Sequence, residues 1–286
     1  MTAHAVIAIA VFVVAYILII TERIHRTKIA IMGGVLLVLF RVIPQASAFA
    51  AIDFNTIGLL VGMMLLIGVL KETGIFTWVA IRIAKGAKGN SWRILLWMSL
   101  FTAVASALLD NVTTVLLIAP ITILIAEMLD ISPFPFLVAE ILSANIGGTA
   151  TLIGDPPNIL IGSATDLSFL DFLVHLGPPA ALILGVTLVA LRFLFRRELG
   201  GSFADSERVL AGMDETKVIT DPRLLGRSLV VLSLTMLGFI LHDALSLKPA
   251  TVALAGGGAL LIWSGTDIEK RLERLTGQVP AVQHLI

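Results

Sequence analysis

The chain has 286 residues, of which 57% are hydrophobic and only 14% are charged, and its mean hydropathy is +0.99. Soluble domains carry about 25% charged residues, so this composition excludes a soluble globular protein and predicts an all-α polytopic membrane protein. The formal net charge of zero leaves no basic surface for nucleic acid. The absence of cysteine excludes disulfides and thiolate metal sites.

Apolar runs of membrane-spanning length recur along the whole chain. In order, the candidate segments are 3–20, 29–43, 54–70, 94–109, 112–128, 136–163, 172–195, 228–242 and 249–263. Residues 75–84 form a short apolar run between basic residues, which predicts an interfacial helix along the inner surface. Residues 198–226 form the one long polar loop and are interpreted as a cytoplasmic linker.

The distribution of lysine and arginine predicts the orientation, because cytoplasmic loops carry the excess of both. An external N-terminus puts 18 of the 20 basic residues inside and leaves only Arg41 and Lys248 outside. We therefore expect a multi-pass protein of the plasma membrane with its N-terminus outside and its basic loops in the cytoplasm.

Residues 94–109 and 112–128 are a pair of short arms joined by the polar stretch DNVTT, residues 110–114. Each arm is shorter than the roughly 20 residues expected of a spanning helix. The pair is interpreted as a re-entrant hairpin, and a tight pair of full spans is the alternative.

The segment SANIGGTATLIGDPPNILIGS, residues 143–163, is too polar and too rich in glycine and proline for one unbroken helix. We expect a first half-helix over 136–146 that stops at Gly147 and Gly148, because glycine tolerates the left-handed backbone that closes a helix. A second half-helix is expected to begin at Pro156 with Asp155 as its N-cap. Residues 149–154 are then extended, and non-helical backbone at that depth predicts a wet cavity and transport.

Two carboxylates, Asp110 and Asp155, each precede a predicted half-helix and so direct a helix N-terminus into the same proposed cavity. A membrane carboxylate is costly and by default functional, although simple capping of the helix explains each one equally well. The neutral oxygens and amides that complete the predicted ion or substrate site are Asn111, Thr113, Thr114, Asn145, Thr149, Thr151 and Asn158, together with the backbone of Gly147, Gly148, Gly154 and Pro156. Glu127 and Glu140 are interpreted as solvated helix ends near the inner mouth, and the alternative is that they are proton carriers.

The stretches LDNVTTVLLIAPITI, residues 109–123, and FLVAEILSANIGGTATLIGDPPNILIGS, residues 136–163, resemble the ion-transporter superfamily. That group includes arsenite pumps, NhaD-type sodium/proton antiporters, the melanosomal P protein, and citrate and divalent-anion carriers. The resemblance implies a homodimeric, elevator-like secondary carrier without cofactors, coupled to Na⁺ or H⁺. The positions that match the sodium site are Asn111, Asn145, Thr149 and Asp155.

Two departures from the family pattern qualify this resemblance. Asp110 and Asp155 stand where sodium/dicarboxylate carriers have serine and threonine, which favours cation or proton coupling over capture of a dicarboxylate, because like charges repel. The inverted second copy of the hairpin and broken helix is also missing after residue 163, so the chain corresponds to the first half and part of the second.

The expected organisation has four parts: scaffold spans and an interfacial helix over 1–92, a transport unit over 93–197, the linker over 198–226, and two further spans with a tail over 227–286. The expected function is secondary transport of inorganic ions or small anions such as arsenite or citrate. The alternative is a non-transporting fragment or assembly partner. An intramembrane aspartyl protease, the enzymatic candidate, is disfavoured because Leu152 stands where that class requires the first glycine of Gly-x-Gly-Asp.

Overall fold

The computed structural model describes residues 3–165, 167–199, 215 and 218–265. Helices are the only regular elements in these ranges. They are α1 (Ala3–Ile20), α2 (Arg26–Leu39), α3 (Gln45–Ala50), α4 (Phe54–Glu72), α5 (Ile75–Gly86), α6 (Ser91–Leu108), α7 (Asn111–Met128), α8 (Phe134–Thr149), α9 (Pro156–Thr165), α10 (Phe169–Leu194), α11 (Pro222–Leu241) and α12 (Pro249–Ser264).

Six of these helices are long and apolar enough to cross a membrane, namely α1, α4, α6, α7, α10 and α11. The chain is therefore a multi-pass integral membrane protein, as its composition predicts. The arms α6 and α7 are 18 residues each, longer than the 16 or 17 predicted. Both reach spanning length, and the re-entrant hairpin stays a prediction.

The chain divides into two compact units, Met1–Phe54 and Asn55–Ile286. In the first unit, α1 is apolar on all sides and none of its residues is buried within the protein. Its neighbour α2 ends at Leu39, four residues before the predicted end of that segment. Arg41 just beyond it has a positive φ of 53°, and this left-handed backbone turns the chain before the predicted helix is complete.

In the second unit, α8 occupies the centre and packs along α6, with α7 and α10 on its other sides. Separately, α4 lies against α12, where a Cβ on Gly62 would overlap the backbone of Ala253. Small residues allow such close approach of membrane helices, which gain their stability from packing rather than from the hydrophobic effect.

The run over 75–84 forms the 12-residue helix α5, and its position along the inner membrane surface stays a prediction. Most of the predicted linker over 198–226 lies outside the described residues, but Glu215 forms ion pairs with Arg82 at 3.1 Å and Lys85 at 2.6 Å, both on α5. The hydrogen bond from Lys85 has the largest effect in holding the pKa of Glu215 below its ordinary value, and the hydrogen bond from Arg82 has the next largest. The linker is therefore attached to α5 at this point.

Candidate functional site

The predicted break in the central helix is present. Helix α8 ends at Thr149 and α9 begins at Pro156. The residues between them, 150–155, form a turn followed by a series of bends without regular structure. Pro156 occupies the first helical position of α9, where its missing N–H costs no intrahelical bond.

Asn158 holds the two sides of the break together. Its side-chain amide nitrogen donates to the carbonyl of Thr149 at 3.1 Å and to the carbonyl of Thr151 at 2.9 Å. Both carbonyls lie in the stretch where the helical ladder has stopped and backbone acceptors need new partners. Asn158 is itself buried, with 8% of its surface exposed. The predicted ligand Asn158 therefore has a structural role, because its amide replaces lost helix hydrogen bonds.

Two further contacts tie the break to the connection between α6 and α7. The hydroxyl of Thr151 donates to the carbonyl of Ala107 at 2.5 Å and accepts from the backbone N–H of Gly154 at 3.2 Å. The backbone N–H of Asn111 donates to the carbonyl of Gly154 at 3.2 Å. The break is thus joined to the end of α6 by a side-chain hydrogen bond and to the start of α7 by a main-chain hydrogen bond.

The prediction that Gly147 and Gly148 stop the first half-helix is wrong. Both are helical, and α8 continues through them to Thr149. A Cβ on Gly147 would overlap the backbone of Ala103, and one on Gly148 would lie 2.6 Å from the carbonyl oxygen of Gly154. These glycines allow α6 and the break to approach α8, and Gly154 is in equally close contact from the opposite side.

Four predicted site residues meet where α7 and α9 begin. The side-chain amide of Asn111 donates to Oδ1 of Asn145 at 3.2 Å and also lies next to the carboxylate of Asp155, which is close enough to Asp110 to interact with its charge. Oδ1 of Asp110 accepts from the backbone N–H of Thr113 at 2.8 Å and so caps α7. We call Asp110, Asn111, Asn145 and Asp155 the tip cluster.

The tip cluster retains oxygen atoms that the fold does not use. Oδ1 of Asn111 is buried and has no hydrogen-bond partner among the described residues. A carboxylate that caps a helix with one oxygen keeps further lone pairs. Two carboxylates and an amide oxygen form a set of hard oxygen donors, which suits a cation such as Na⁺.

Two predicted threonine ligands, in contrast, bond within their own helices. Thr114 donates to the carbonyl of Asp110 at 2.8 Å, and Thr149 donates to the carbonyl of Asn145 at 2.8 Å. This back-bonding is the common behaviour of threonine in membrane helices. Thr149 lies one turn from Asn145, at the edge of the tip cluster, and the hydroxyl of Thr114 is fully buried.

Glu140 differs from its predicted position. It is not a solvated helix end, because only 1% of its surface is exposed. Its Oε1 accepts a hydrogen bond from the hydroxyl of Thr122 on α7. Counting residues from the helix end placed Glu140 near water, but its burial results from α7 packing on α8. The sequence signal is the spacing of Glu140, Ser143, Ala144 and Gly147, which puts them on one face of α8.

The sequence profile of the citrate transporter family, CitMHS, matches residues 16–278. The chain belongs to the citrate transporter family. This is a family of membrane transporters and not of enzymes, and the match covers the twelve helices of the described residues apart from most of α1.

Curated relatives agree with this assignment. An uncharacterized transporter of Mycobacterium tuberculosis is 42% identical over 267 residues, which are 91% of this chain and 61% of the relative. A 46 kDa membrane protein of Mycobacterium leprae is 45% identical over the same shares. The human P protein is 40% identical over 199 residues, 66% of this chain and 24% of the P protein. The chain spans about three fifths of the length of its mycobacterial relatives.

Proposed function

We propose that this chain forms one half of a secondary active transporter that moves a small anion or inorganic ion across the plasma membrane. The observation that carries the proposal is the tip cluster. The tip cluster joins two helix N-termini, the start of α7 and the start of α9. It also retains the unpaired Oδ1 of Asn111 beside the break in the central helix. Discontinuous helices with exposed termini form the substrate and ion sites of many secondary carriers.

The charge of the tip cluster favours a bound cation as part of the transported or coupling species. Asp110 and Asp155 are close enough to repel one another, and a cation between them lowers that repulsion. A free polycarboxylate would instead add negative charge to the same place. The proposed substrates are therefore cations, neutral hydroxides such as arsenite, or an anion that arrives together with Na⁺ or H⁺.

The arrangement in the membrane is proposed from the charge pattern and from the length of the chain. The N-terminus lies outside and the basic connections face the cytoplasm. A complete carrier of this architecture contains two inverted units, and this chain supplies one hairpin and one broken helix. The proposed assembly is a homodimer.

The test is flux into liposomes that contain the purified chain. Labelled citrate, arsenite and Na⁺ are offered in turn under an inward proton gradient and under a sodium gradient. We expect Asp110→Asn and Asp155→Asn each to lower uptake at least tenfold, because each removes a charge from the tip cluster. Glu127→Gln, an exposed acid on α7 outside the cluster, is the matched control and keeps the wild-type rate.

Two results contradict parts of this proposal. Uptake that is unchanged in both aspartate variants removes the tip cluster from the mechanism. A wild-type chain that inserts and folds but moves none of the three ions under either gradient favours the alternative, a non-transporting assembly partner.

A further inference from the structure

Glu140 is a carboxylate enclosed in the centre of the α6, α7 and α8 bundle, away from the tip cluster. Thr122 donates a hydrogen bond to its Oε1. Its Oε2 is buried and has no hydrogen-bond partner among the described residues. An ionised carboxylate with one unpaired oxygen in an apolar membrane interior costs several kcal/mol. The neutral acid avoids most of that cost, because its O–H is a donor that needs only a nearby oxygen.

Buried hydroxyl oxygens also lie on α6 and on the face of α8 that carries Glu140. Ser99, Thr102 and Ser106 form one stripe on α6, and Ser106 donates to the carbonyl of Ala144 on α8 at 2.6 Å, which fixes this stripe against α8. Glu140 and Ser143 share the face of α8 that carries Ala144. The hydroxyl oxygens of Ser99, Thr102 and Ser143 are buried and lack hydrogen-bond partners in the described ranges. The interface thus contains one acid and three unpaired hydroxyls.

Within the part of the chain that the structure describes, no counter-charge compensates an ionised Glu140. The charged or titratable side chains on the helices packed against α8 are Arg93 on α6, Glu127 on α7, and Asp171, His175 and Arg192 on α10. All are exposed or only partly buried, and none of these described residues forms an ion pair with Glu140. Arg192 instead stacks on Trp92 at 4.9 Å.

The enclosure of Glu140, with 1% of its surface exposed, favours a proton over a metal cation. The gap next to its hydrogen-bond partner Thr122, lined also by Met98, Ile125 and Phe136, has no volume that a water molecule could occupy. A hydrated cation needs several oxygen ligands at bonding distance and more room than this. A proton needs no volume of its own.

We propose that Glu140 is the proton-binding site of this transporter, an inference that rests on the transport function proposed above. The enclosed residue is the carboxylic acid. When rearrangement of α8 against α6 and α7 opens the interface to water, the O–H bond breaks and the proton passes to water on that side. Rebinding a proton from water on the opposite side re-forms the acid and allows the interface to close.

Infrared spectroscopy of the purified chain in liposomes tests the protonation state without any transport. At neutral pH the wild type is expected to show the carbonyl stretch of a buried protonated carboxylic acid. Glu140→Gln removes that band, and the matched exposed-acid control Glu127→Gln keeps it. Thr122→Val leaves the band in place but moves it to higher frequency, because the carbonyl oxygen loses its hydrogen-bond donor. The Thr122 variant therefore assigns the band even if Glu140→Gln fails to fold.

Flux measurements test the coupling role. In Glu140→Gln, accumulation driven by a proton gradient is expected to fall at least tenfold while exchange of labelled for unlabelled substrate continues. A wild type without the carboxylic acid band, a band that survives in Glu140→Gln, or proton-driven accumulation that persists in that variant each overturns the proposal. A wild type that carries the band but transports nothing contradicts the proposed transport function instead, since the band does not depend on flux.

Discussion

Two segments of this protein contain a glycine followed closely by adjacent prolines, and their backbones differ. The helix pair α8 and α9 is interrupted before Pro156 and Pro157, whereas α10 runs for 26 residues straight through Pro178 and Pro179. In α10 the two prolines remove two backbone donors, yet the helix persists. Proline alone therefore does not break a helix in this chain.

The difference lies in the side chains that surround each pair. At the break, Asn158 and Thr151 form hydrogen bonds with backbone groups that have left the helical ladder. In α10 the corresponding contacts support the helix itself: Ser168 and Asp171 form a capping box at its start, and His175 contacts the carbonyl of Asp171 one turn earlier. A membrane-embedded backbone stays in the conformation that satisfies its polar groups. The polar residues in and next to the sequence GDPPN, residues 154–158, therefore determine where the helix is interrupted.

The largest difference between the two segments is expected in the free energy of unfolding when a glycine in each, Gly147 or Gly185, is replaced. Gly147→Ala places a methyl group against the backbone of Ala103 and forces α8 away from α6, so we expect the free energy of unfolding to fall by more than about 3 kcal/mol. Gly185→Ala on α10 is the matched control, because nothing lies within 4 Å of its added carbon. That change should stabilise by up to about 1 kcal/mol. Urea unfolding in mixed micelles measures both, and equal effects would contradict the close packing.

The next effect is expected from Asn158. Asn158→Leu removes two hydrogen bonds and leaves the carbonyls of Thr149 and Thr151 without this donor, at a cost of about 2–3 kcal/mol. Thr165→Val on the same helix loses only an exposed bond to its own helix and should cost less than about 0.5 kcal/mol. The same unfolding measurement separates the two variants. A loss for Asn158→Leu as small as that of the control would show that the break is held by other contacts.

The smallest effect is expected from the proline at the start of α9. Pro156→Ala should change the free energy of unfolding by less than about 1 kcal/mol, because the hydrogen bonds of Asn158 and Thr151 remain. The chain has no cysteine, so spin labels at Ile146→Cys and Ile161→Cys report the distance across the break directly. That distance should be the same whether or not the labelled chain also carries Pro156→Ala. A shift in the Pro156→Ala variant to about 22 Å, the length of a continuous helix of 15 residues, would show that proline enforces the interruption.

The interruption could be predicted from sequence because its determinants are local. Asp155, Pro156 and the surplus length of the segment indicate a new helix start without knowledge of any neighbour. The role of Gly147 could not be predicted in the same way, since a glycine that ends a helix and one that admits a neighbouring helix look identical until α6 is in place. The prediction that Glu140 is solvated failed for the same reason, because its burial depends on the packing of α7, which carries Thr122.

The candidate site was partly predictable. Asn111 lies close to Asn145 and Asp155, so the two helix starts are neighbours, and the cavity between them stays a prediction. Thr114, Thr151 and Asn158 were also predicted as ligands, and in the structure all three side chains form hydrogen bonds with backbone carbonyls. Residue type alone cannot distinguish a ligand from a side chain that bonds to the backbone, because asparagine and threonine suit both purposes.

The hydrogen bond from the N–H of Asn111 to the carbonyl of Gly154 has a consequence for how such transporters diversify. It joins the loop and the interrupted helix through atoms that every amino acid except proline possesses. Gly154 itself leaves no room for a side chain, but the side chain of Asn111 can vary without loss of this main-chain hydrogen bond. The proposed ligands Asp110 and Asp155 could therefore be exchanged for hydroxyl residues without loss of this hydrogen bond.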